Sequence, residues 1–390
     1  MEPNTKKSFL SELENIDWDF AGERTSDDGL AFHWHPARFV PQIPSNLIGY
    51  FTEKGDTVLD PFCGSGTSLV EAFRLDRKPI GIDLSPTAII ITKARLAKIN
   101  SDRFDSFNAK ISSEITHRLL SKTDDILSLV PNIDENKKWY HASTLAELAC
   151  IYSIILELDN NSQESTILKC CFSAILNKVC SQDRHFGWIC DRVYPKTYKY
   201  INAAELFNTK LSQFKSYLID FKESLKDTEP RTVSYDDIKI YQSDARDLSG
   251  IIDDHSVDLV ITSPPYLNVT DYNKSFRLTS LWFGPDNWQE IAQSEIGARF
   301  KRSRKSSFDD YINDTSKYMT ELYRVLRAGK YLCLVLGESS SHPAYIEKLL
   351  NLSQGLGFGK IHSIERRISI QRRLFPRLAT EEVIILVKGR

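Results

Sequence analysis

Polar and aromatic positions mix without a clear period through the first forty residues, and regular patterning begins at Val58-Leu59-Asp60, a short apolar run ending on an acid. An apolar run bounded by a loop rich in proline and glycine reads as a buried strand. The loop Pro61 to Thr67 follows, and Ser68 to Arg74 opens a run with helical spacing. Pro79-Ile80-Gly81-Ile82-Asp83 is a second apolar run ending on an acid, and Ala88 to Ile99 supplies a second helix. These segments form one strand-helix-strand unit, which predicts parallel pairing in an α/β, doubly wound sheet.

From about Ser101 to Lys226 the pattern changes. Ile126 to Val130, Leu145 to Leu158 and Ile167 to Val179 have helical spacing, broken by joints rich in Asn, Ser and Lys. Alternation of strand and helix resumes with Ile238 to Tyr241, Val257 to Ile261, Tyr331 to Leu336 and Glu382 to Val387. The expected organisation is therefore a first part of an α/β domain over 1–100, a helical insertion over 101–235, and the remainder of the same domain over 236–390.

Composition changes this picture little. Hydrophobic residues make up 41% and charged residues 26% of the 390, which suits a globular enzyme and argues against global disorder. No stretch reaches the roughly 18 apolar residues of a membrane span, and Met1-Glu2-Pro3-Asn4 lacks the layout of a signal peptide, so a cytoplasmic location without membrane contact is expected. Seven scattered cysteines without paired C-x-x-C spacing indicate neither a disulfide frame nor a zinc site, and no metal is expected. The net charge of −2 offers no global attraction to nucleic acid, so a polyanion has to be met by local basic patches.

Chemistry enters at Asp60-Pro61-Phe62-Cys63-Gly64-Ser65-Gly66-Thr67. A strand that ends on an acid and turns through glycines into a helix lets a ligand approach the backbone while N–H groups point at it. The segment lacks the G-x-G-x-x-G pyrophosphate pattern. Asp83 ends the second strand about 20 residues later, where a doubly wound fold places the carboxylate that accepts hydrogen bonds from ribose hydroxyls. Taken alone, Asp83 is equally readable as a helix N-cap before Leu84-Ser85-Pro86. With the loop, it implies a cofactor containing a nucleoside.

The second informative segment is Thr262-Ser263-Pro264-Pro265-Tyr266, directly after the strand Val257 to Ile261. Two successive prolines cannot continue a sheet, so they fix a rigid turn at the strand's carboxyl end, where open α/β sheets bind ligands. An exocyclic amino nitrogen is a poor nucleophile because its lone pair is delocalised, and acceptors for its hydrogens favour the pyramidal form that attacks. Ser263 Oγ and the Pro264 carbonyl are the natural acceptors, and Tyr266 can stack on a base extruded from a duplex. On that stacking reading the phenol oxygen is dispensable.

Together, Asp60 to Thr67 and Ser263 to Tyr266 resemble the cofactor and catalytic motifs of the N4-cytosine/N6-adenine DNA methyltransferase family. His35-Pro36-Ala37-Arg38-Phe39-Val40-Pro41 is similar to the family's N-terminal motif that closes over the methionine end of the cofactor, and Ser243 to Leu248 is similar to the segment whose acid approaches adenine. The resemblance covers about Phe32 to Pro86 and Ile238 to Val387, leaving the helical insertion outside it. It implies a seven-stranded S-adenosylmethionine-dependent methyltransferase fold, Rossmann-like, with a reversed strand near the C-terminus. It implies S-adenosyl-L-methionine as cofactor, held by Phe39, Asp60, Pro61, Phe62, Gly64, Gly66, Thr67, Asp83 and Asp244, and a catalytic tetrad Ser263, Pro264, Pro265 and Tyr266. In that family a serine at the tetrad's first position goes with cytosine N4, and aspartate or asparagine with adenine N6. Carbon-5 chemistry is set aside, because it needs a thiolate and no cysteine adjoins Pro264-Pro265.

The expected function is thus methylation of cytosine N4 in double-stranded DNA, in a restriction-modification or related defence system with a cognate restriction endonuclease as possible partner. Adenine N6 is the first alternative. An RNA amino methyltransferase, a nicotinamide oxidoreductase and a non-catalytic DNA-binding protein are the others. Arg299, Lys301, Arg302, Arg304 and Lys305 form the densest basic cluster and are expected to contact DNA. Arg366 to Arg377 and the insertion's Arg184 to Lys199 are two further clusters, and which of the three reads bases stays open.

Overall fold

The computed structural model describes residues 12–23, 32–36, 38, 40–121, 126–182, 194–228, 230–337, 344–368 and 379–389. In chain order the main elements begin with α1 (Gln42–Phe51), β1 (Thr57–Asp60), α2 (Thr67–Arg74), β2 (Lys78–Asp83) and α3 (Pro86–Arg95). Four long helices follow: α4 (Ser101–Ser121), α5 (Ala142–Leu156), α6 (Gln163–Val179) and α7 (Ala203–Leu225). Then come β3 (Lys239–Gln242), β4 (Val257–Thr262), α8 (Arg277–Phe283), α9 (Trp288–Ser294) and α10 (Ser307–Val325). The last elements are β5 (Leu326–Leu336), α11 (Tyr345–Leu356), β6 (Phe358–Arg367) and β7 (Thr380–Lys388).

The strands form one seven-stranded sheet in the order β3-β2-β1-β4-β5-β7-β6. β1 to β5 pair in parallel, while β7 runs antiparallel to both β5 and β6. This is the α/β, Rossmann-like architecture expected, with the reversed strand near the C-terminus. Side chains alternate across the sheet with a period of two. Val58, Leu259 and Ile261 accordingly pack on one face with Ile43 and Leu47 of α1. Leu59 and Val260 pack on the other with Tyr318 and Leu322 of α10. The position of α10 follows from spacing: its buried Tyr311, Thr315, Tyr318, Met319, Leu322 and Val325 recur every three or four residues.

The helices between α3 and β3 share a core with the sheet's flank, in which Phe104, Trp139, Ile167, Phe207 and Phe214 join Leu69, Phe73 and Ile91. α6 and α7 start at side-chain caps, Ser162 accepting from the Ser165 N–H and Asn202 from the Glu205 N–H. Ile126 to Val130, read from sequence as helical, is a single 3₁₀ turn over Ile126–Leu129, since Pro131 disfavours helix before it. The sheet order reverses between β1 and β4, which opens a crevice at their carboxyl ends.

Candidate active site

The loop after β1 is shaped by two glycines in the left-handed region, Gly64 at φ 53° and Gly66 at φ 79°. A Cβ on Gly66 would sit 2.7 Å from Thr92 Cγ2, so α3 can pack this closely only against glycine. Thr92 Oγ1 donates to the Gly64 carbonyl at 2.9 Å and Arg95 Nη1 to the Ser65 carbonyl at 2.7 Å. On the inner side the Gly64 N–H donates to Asp83 Oδ2 at 2.9 Å, and the Ser85 N–H to Asp83 Oδ1 at 2.8 Å. The cofactor loop is thus held from α3 on one side and from the end of β2 on the other.

Asp60 is buried and accepts from the Phe62 N–H at 3.0 Å, from Thr262 Oγ1 at 2.6 Å and from Ser68 Oγ. Burial pushes its pKa up to about 6, with hydrogen bonds from Ser68, Thr262 and Phe62 pulling the other way. Burial likewise raises Asp83 to about 6. Asp244 lies in the segment after β3, and burial works to raise it. Hydrogen bonds from Arg246 outweigh burial and leave Asp244 below the usual range.

These residues border a cavity of about 920 Å³, its open mouth included. Asp60, Pro61, Phe62, Gly64 and Thr67 line it from the cofactor loop, Asp83 and Ser85 from the end of β2, and Asp244 from beyond β3. Ser263 and Pro265 line it from the end of β4. The structure therefore brings most of the sequence-expected cofactor and tetrad residues around one space. Gly66, Pro264 and Tyr266 are outside that lining. Phe39 falls outside the described residues, although its neighbour Arg38 lines the cavity.

Tyr266 is oriented differently from a stacking platform. Its side chain is buried, and its hydroxyl lies 3.1 Å from Ser263 Oγ, 3.2 Å from the Val335 carbonyl and 3.0 Å from Glu381 Oε1. The ring packs beneath the tetrad turn, since its hydroxyl finds partners on β5 and β7 there. Pro265 is held by its carbonyl, which accepts from the Tyr311 hydroxyl at 2.8 Å.

Sequence reasoning missed several lining residues: His35, Arg38, Ser85, Tyr272, Phe276 and Glu295. His35 and Arg38 sit inside the motif that singled out Phe39, so their signal was present. Glu295 had none. It accepts the N–H groups of Tyr272 and Asn273 at 2.7 and 3.0 Å, holding the turn after the tetrad over the cavity. Burial raises its pKa to about 7 against those hydrogen bonds. Burial also lowers His35 to about 3, against its hydrogen bond to the Pro36 carbonyl, so the ring is neutral at physiological pH.

The basic loop adjoins this site. Backbone groups of Asn268 and Gly297, of Arg299 and Thr270, and the Phe300 N–H with Asp271 Oδ1 staple 297–300 to the segment following the tetrad. Arg299, Arg302, Arg304 and Lys305 are exposed, while Lys301 donates to the Glu295 carbonyl at 2.6 Å. The Phe300 ring is flanked by Lys274 Nζ at 4.4 Å, Lys301 Nζ at 5.8 Å and Arg304 Cζ at 5.9 Å from its centroid. Of the other basic clusters, Arg372, Arg373, Arg377, Arg184, His185, Trp188 and Arg192 fall outside the described residues. Arg366 is buried in an ion pair with Glu381. Cys63, Cys150, Cys170, Cys171, Cys180 and Cys333 are buried free thiols, and the described residues contain no His, Cys, Asp and Glu grouping that would hold a metal. No described helix is long and apolar enough to cross a membrane.

The cavity fits S-adenosylmethionine. Each Asp83 oxygen accepts one N–H and retains a lone pair for a hydroxyl donor. Ser85 Oγ is buried beside it without a hydrogen-bond partner, a group that a polar ligand would satisfy. Phe62, Ala245 and Ile296 supply apolar walls for a purine.

A family model described as DNA methylase, for N6/N4 methyltransferases, matches residues 4–94. The type II methyltransferase M.BsoBI of Geobacillus stearothermophilus is 24% identical over 351 residues, covering 83% of this chain and 67% of the relative. M.MjaII of Methanocaldococcus jannaschii is 24% identical across 84% of this chain and 76% of its own length. M.BglI of Bacillus subtilis reaches 37% identity over 121 residues, which is 31% of this chain and 32% of that protein. The family match ends before the insertion and the longer alignments run well past it, so both halves of the site fall within the likeness. The chain is thus similar over residues 4–94 to the N6/N4 family of amino-directed DNA methyltransferases and over most of its length to type II DNA methyltransferases, and S-adenosyl-L-methionine is the cofactor this likeness supports.

Proposed function

We propose that the protein methylates cytosine N4 in duplex DNA, as the modification enzyme of a cytoplasmic restriction-modification system with a cognate endonuclease. The observation that carries the reading is the shared cavity: Ser263 at the end of β4 borders the same space as Gly64 and Asp83. When bound, the cofactor supplies a methyl group activated by its sulfonium sulfur. The chain's own task is alignment and charge placement. Asp83 and Ser85 hold the nucleoside end, and Phe62 and Ile296 exclude water from it. Ser263 Oγ and the Pro264 carbonyl accept the hydrogens of the target amino group, an interaction that strengthens as the nitrogen pyramidalises. The serine at the tetrad's first position favours cytosine over adenine.

Arg299, Lys301, Arg302, Arg304 and Lys305 are the proposed phosphate contacts. Their loop is stapled to the segment following the tetrad, so a duplex resting on it presents its bases to the cavity mouth. The test is transfer of labelled methyl groups from S-adenosylmethionine to duplex DNA of mixed sequence, with transfer RNA in parallel. Label in the duplex alone supports the proposal, and label in the RNA alone overturns its substrate.

A further inference from the structure

We infer that Tyr266 and Glu381 are a positioning pair that fixes the Ser263 hydroxyl as an acceptor towards the cavity, so that the site selects an amino group and rejects a carbonyl at the same ring position. This rests on the amino-methylation reading above. Counting protons sets the direction of the hydrogen bonds. The Tyr266 hydroxyl has a single hydrogen, and two of its neighbours, Glu381 Oε1 at 3.0 Å and the Val335 carbonyl at 3.2 Å, can only accept. Its hydrogen therefore points towards β5 and β7. Ser263 Oγ, 3.1 Å away, must then donate to the phenol oxygen. With that hydrogen committed, Ser263 turns only lone pairs to the cavity it lines.

Glu381 keeps the chain of hydrogen bonds running in this direction because it is itself anchored. Its second carboxylate oxygen is bound by Arg366, whose Nε donates to the Trp18 carbonyl at 2.9 Å and whose side chain is 2% exposed. The two residues face each other across β6 and β7. A half-buried carboxylate paired with Arg366 is an acceptor, and a charged acceptor draws the phenol hydrogen more strongly than the Val335 carbonyl does. The consequence at the other end is selectivity. Cytosine carries an amino group where thymine carries a carbonyl, and lone pairs on Ser263 attract the first and repel the second.

The experiment compares Ser263→Ala, Tyr266→Phe and their combination, and adds Glu381→Gln and Glu381→Leu. For each, single-turnover methyl transfer is measured beside cofactor and DNA affinity. The pair's role predicts that Tyr266→Phe lowers the rate by about tenfold, as expected for the removal of one hydrogen bond, with both affinities held. Added to Ser263→Ala it lowers the rate no further, because its effect acts through the serine. Glu381→Leu follows Tyr266→Phe, whereas Glu381→Gln, which keeps an acceptor oxygen, retains more activity. Full activity in Tyr266→Phe, or rate reductions that multiply independently of Ser263, overturns the inference and leaves amino methylation standing. Full activity in Ser263→Ala overturns the serine's acceptor role, and with it this inference, whereas a parent protein that leaves no base with a methylated amino group overturns the amino-methylation reading itself.

Discussion

Asp60 and Thr262 lie 202 positions apart in the chain, and a 2.6 Å hydrogen bond from the Thr262 hydroxyl to the Asp60 carboxylate ties the cofactor loop to the strand end that carries Ser263. Asp60 gathers two further donors from the segment that follows it, the Phe62 N–H in the loop and Ser68 Oγ in α2. It works as a knot between the two motifs, which fixes their spacing.

Thr262→Val keeps the β-branched shape that β4 needs and removes this bond. It should destabilise the fold by about 1.5 to 3 kcal/mol, the range for a hydrogen bond to a charged group, and should weaken cofactor binding. Urea denaturation and calorimetric titration with S-adenosylmethionine check both. Unchanged values in the two measurements would leave Asp60 a bystander.

Much of this arrangement was legible in the sequence because the two motifs sit on strands whose apolar runs are unambiguous. β4 is buried along its whole length, and Val257 to Ile261 reads as a strand for that reason. β6 was missed, because Phe358–Arg367 is an edge strand with a mixed polar pattern in which only Phe358 and Arg366 are fully buried. α7 falls within the stretch read as a helical insertion but was not singled out, although Phe207, Leu211, Phe214, Leu218 and Phe221 keep helical spacing, since many polar residues lie between them along its 23 positions. Within the site, the motifs located Asp60, Gly64, Asp83 and Ser263. Glu295 and Glu381 were invisible, as each acts through residues distant in sequence. The orientation of Tyr266 was hidden too, being decided by partners on β5 and β7.

A pH dependence follows from Asp83, which burial raises from an ordinary 3.8 to about 6. With the proposed hydrogen bonds from ribose hydroxyls to this carboxylate, cofactor affinity should climb as pH rises through about 6 and level off above. The contribution to fold stability has the opposite sign. Native Asp83 keeps its proton to higher pH than the unfolded chain does, so that contribution is greatest below about 4 and declines as pH rises through about 6. Titrations at a series of pH values test this, with Asp83→Asn separating the share of Asp83 from that of Asp60. A flat affinity in the parent between about pH 5 and pH 8 contradicts the ribose role.

The basic loop gives a separate expectation. Replacing Arg302 and Arg304 by Ala should weaken duplex binding and flatten its salt dependence by about 0.9 in log–log slope for each phosphate no longer neutralised. Cofactor affinity should be unaffected. Fluorescence anisotropy over a range of salt concentrations decides it, and a parent-like slope in the double variant would falsify the phosphate-binding role.

The most direct measurement of the central claim is mass spectrometry of nucleosides from duplex DNA treated with the protein and S-adenosylmethionine, run in parallel with Ser263→Ala. N4-methylcytosine is expected in the parent reaction, with a large drop in its yield in the variant, while the variant still binds cofactor and duplex. N6-methyladenine in place of N4-methylcytosine contradicts the base assignment, and no methylated base from any duplex, with the cofactor bound, contradicts the enzymatic role itself.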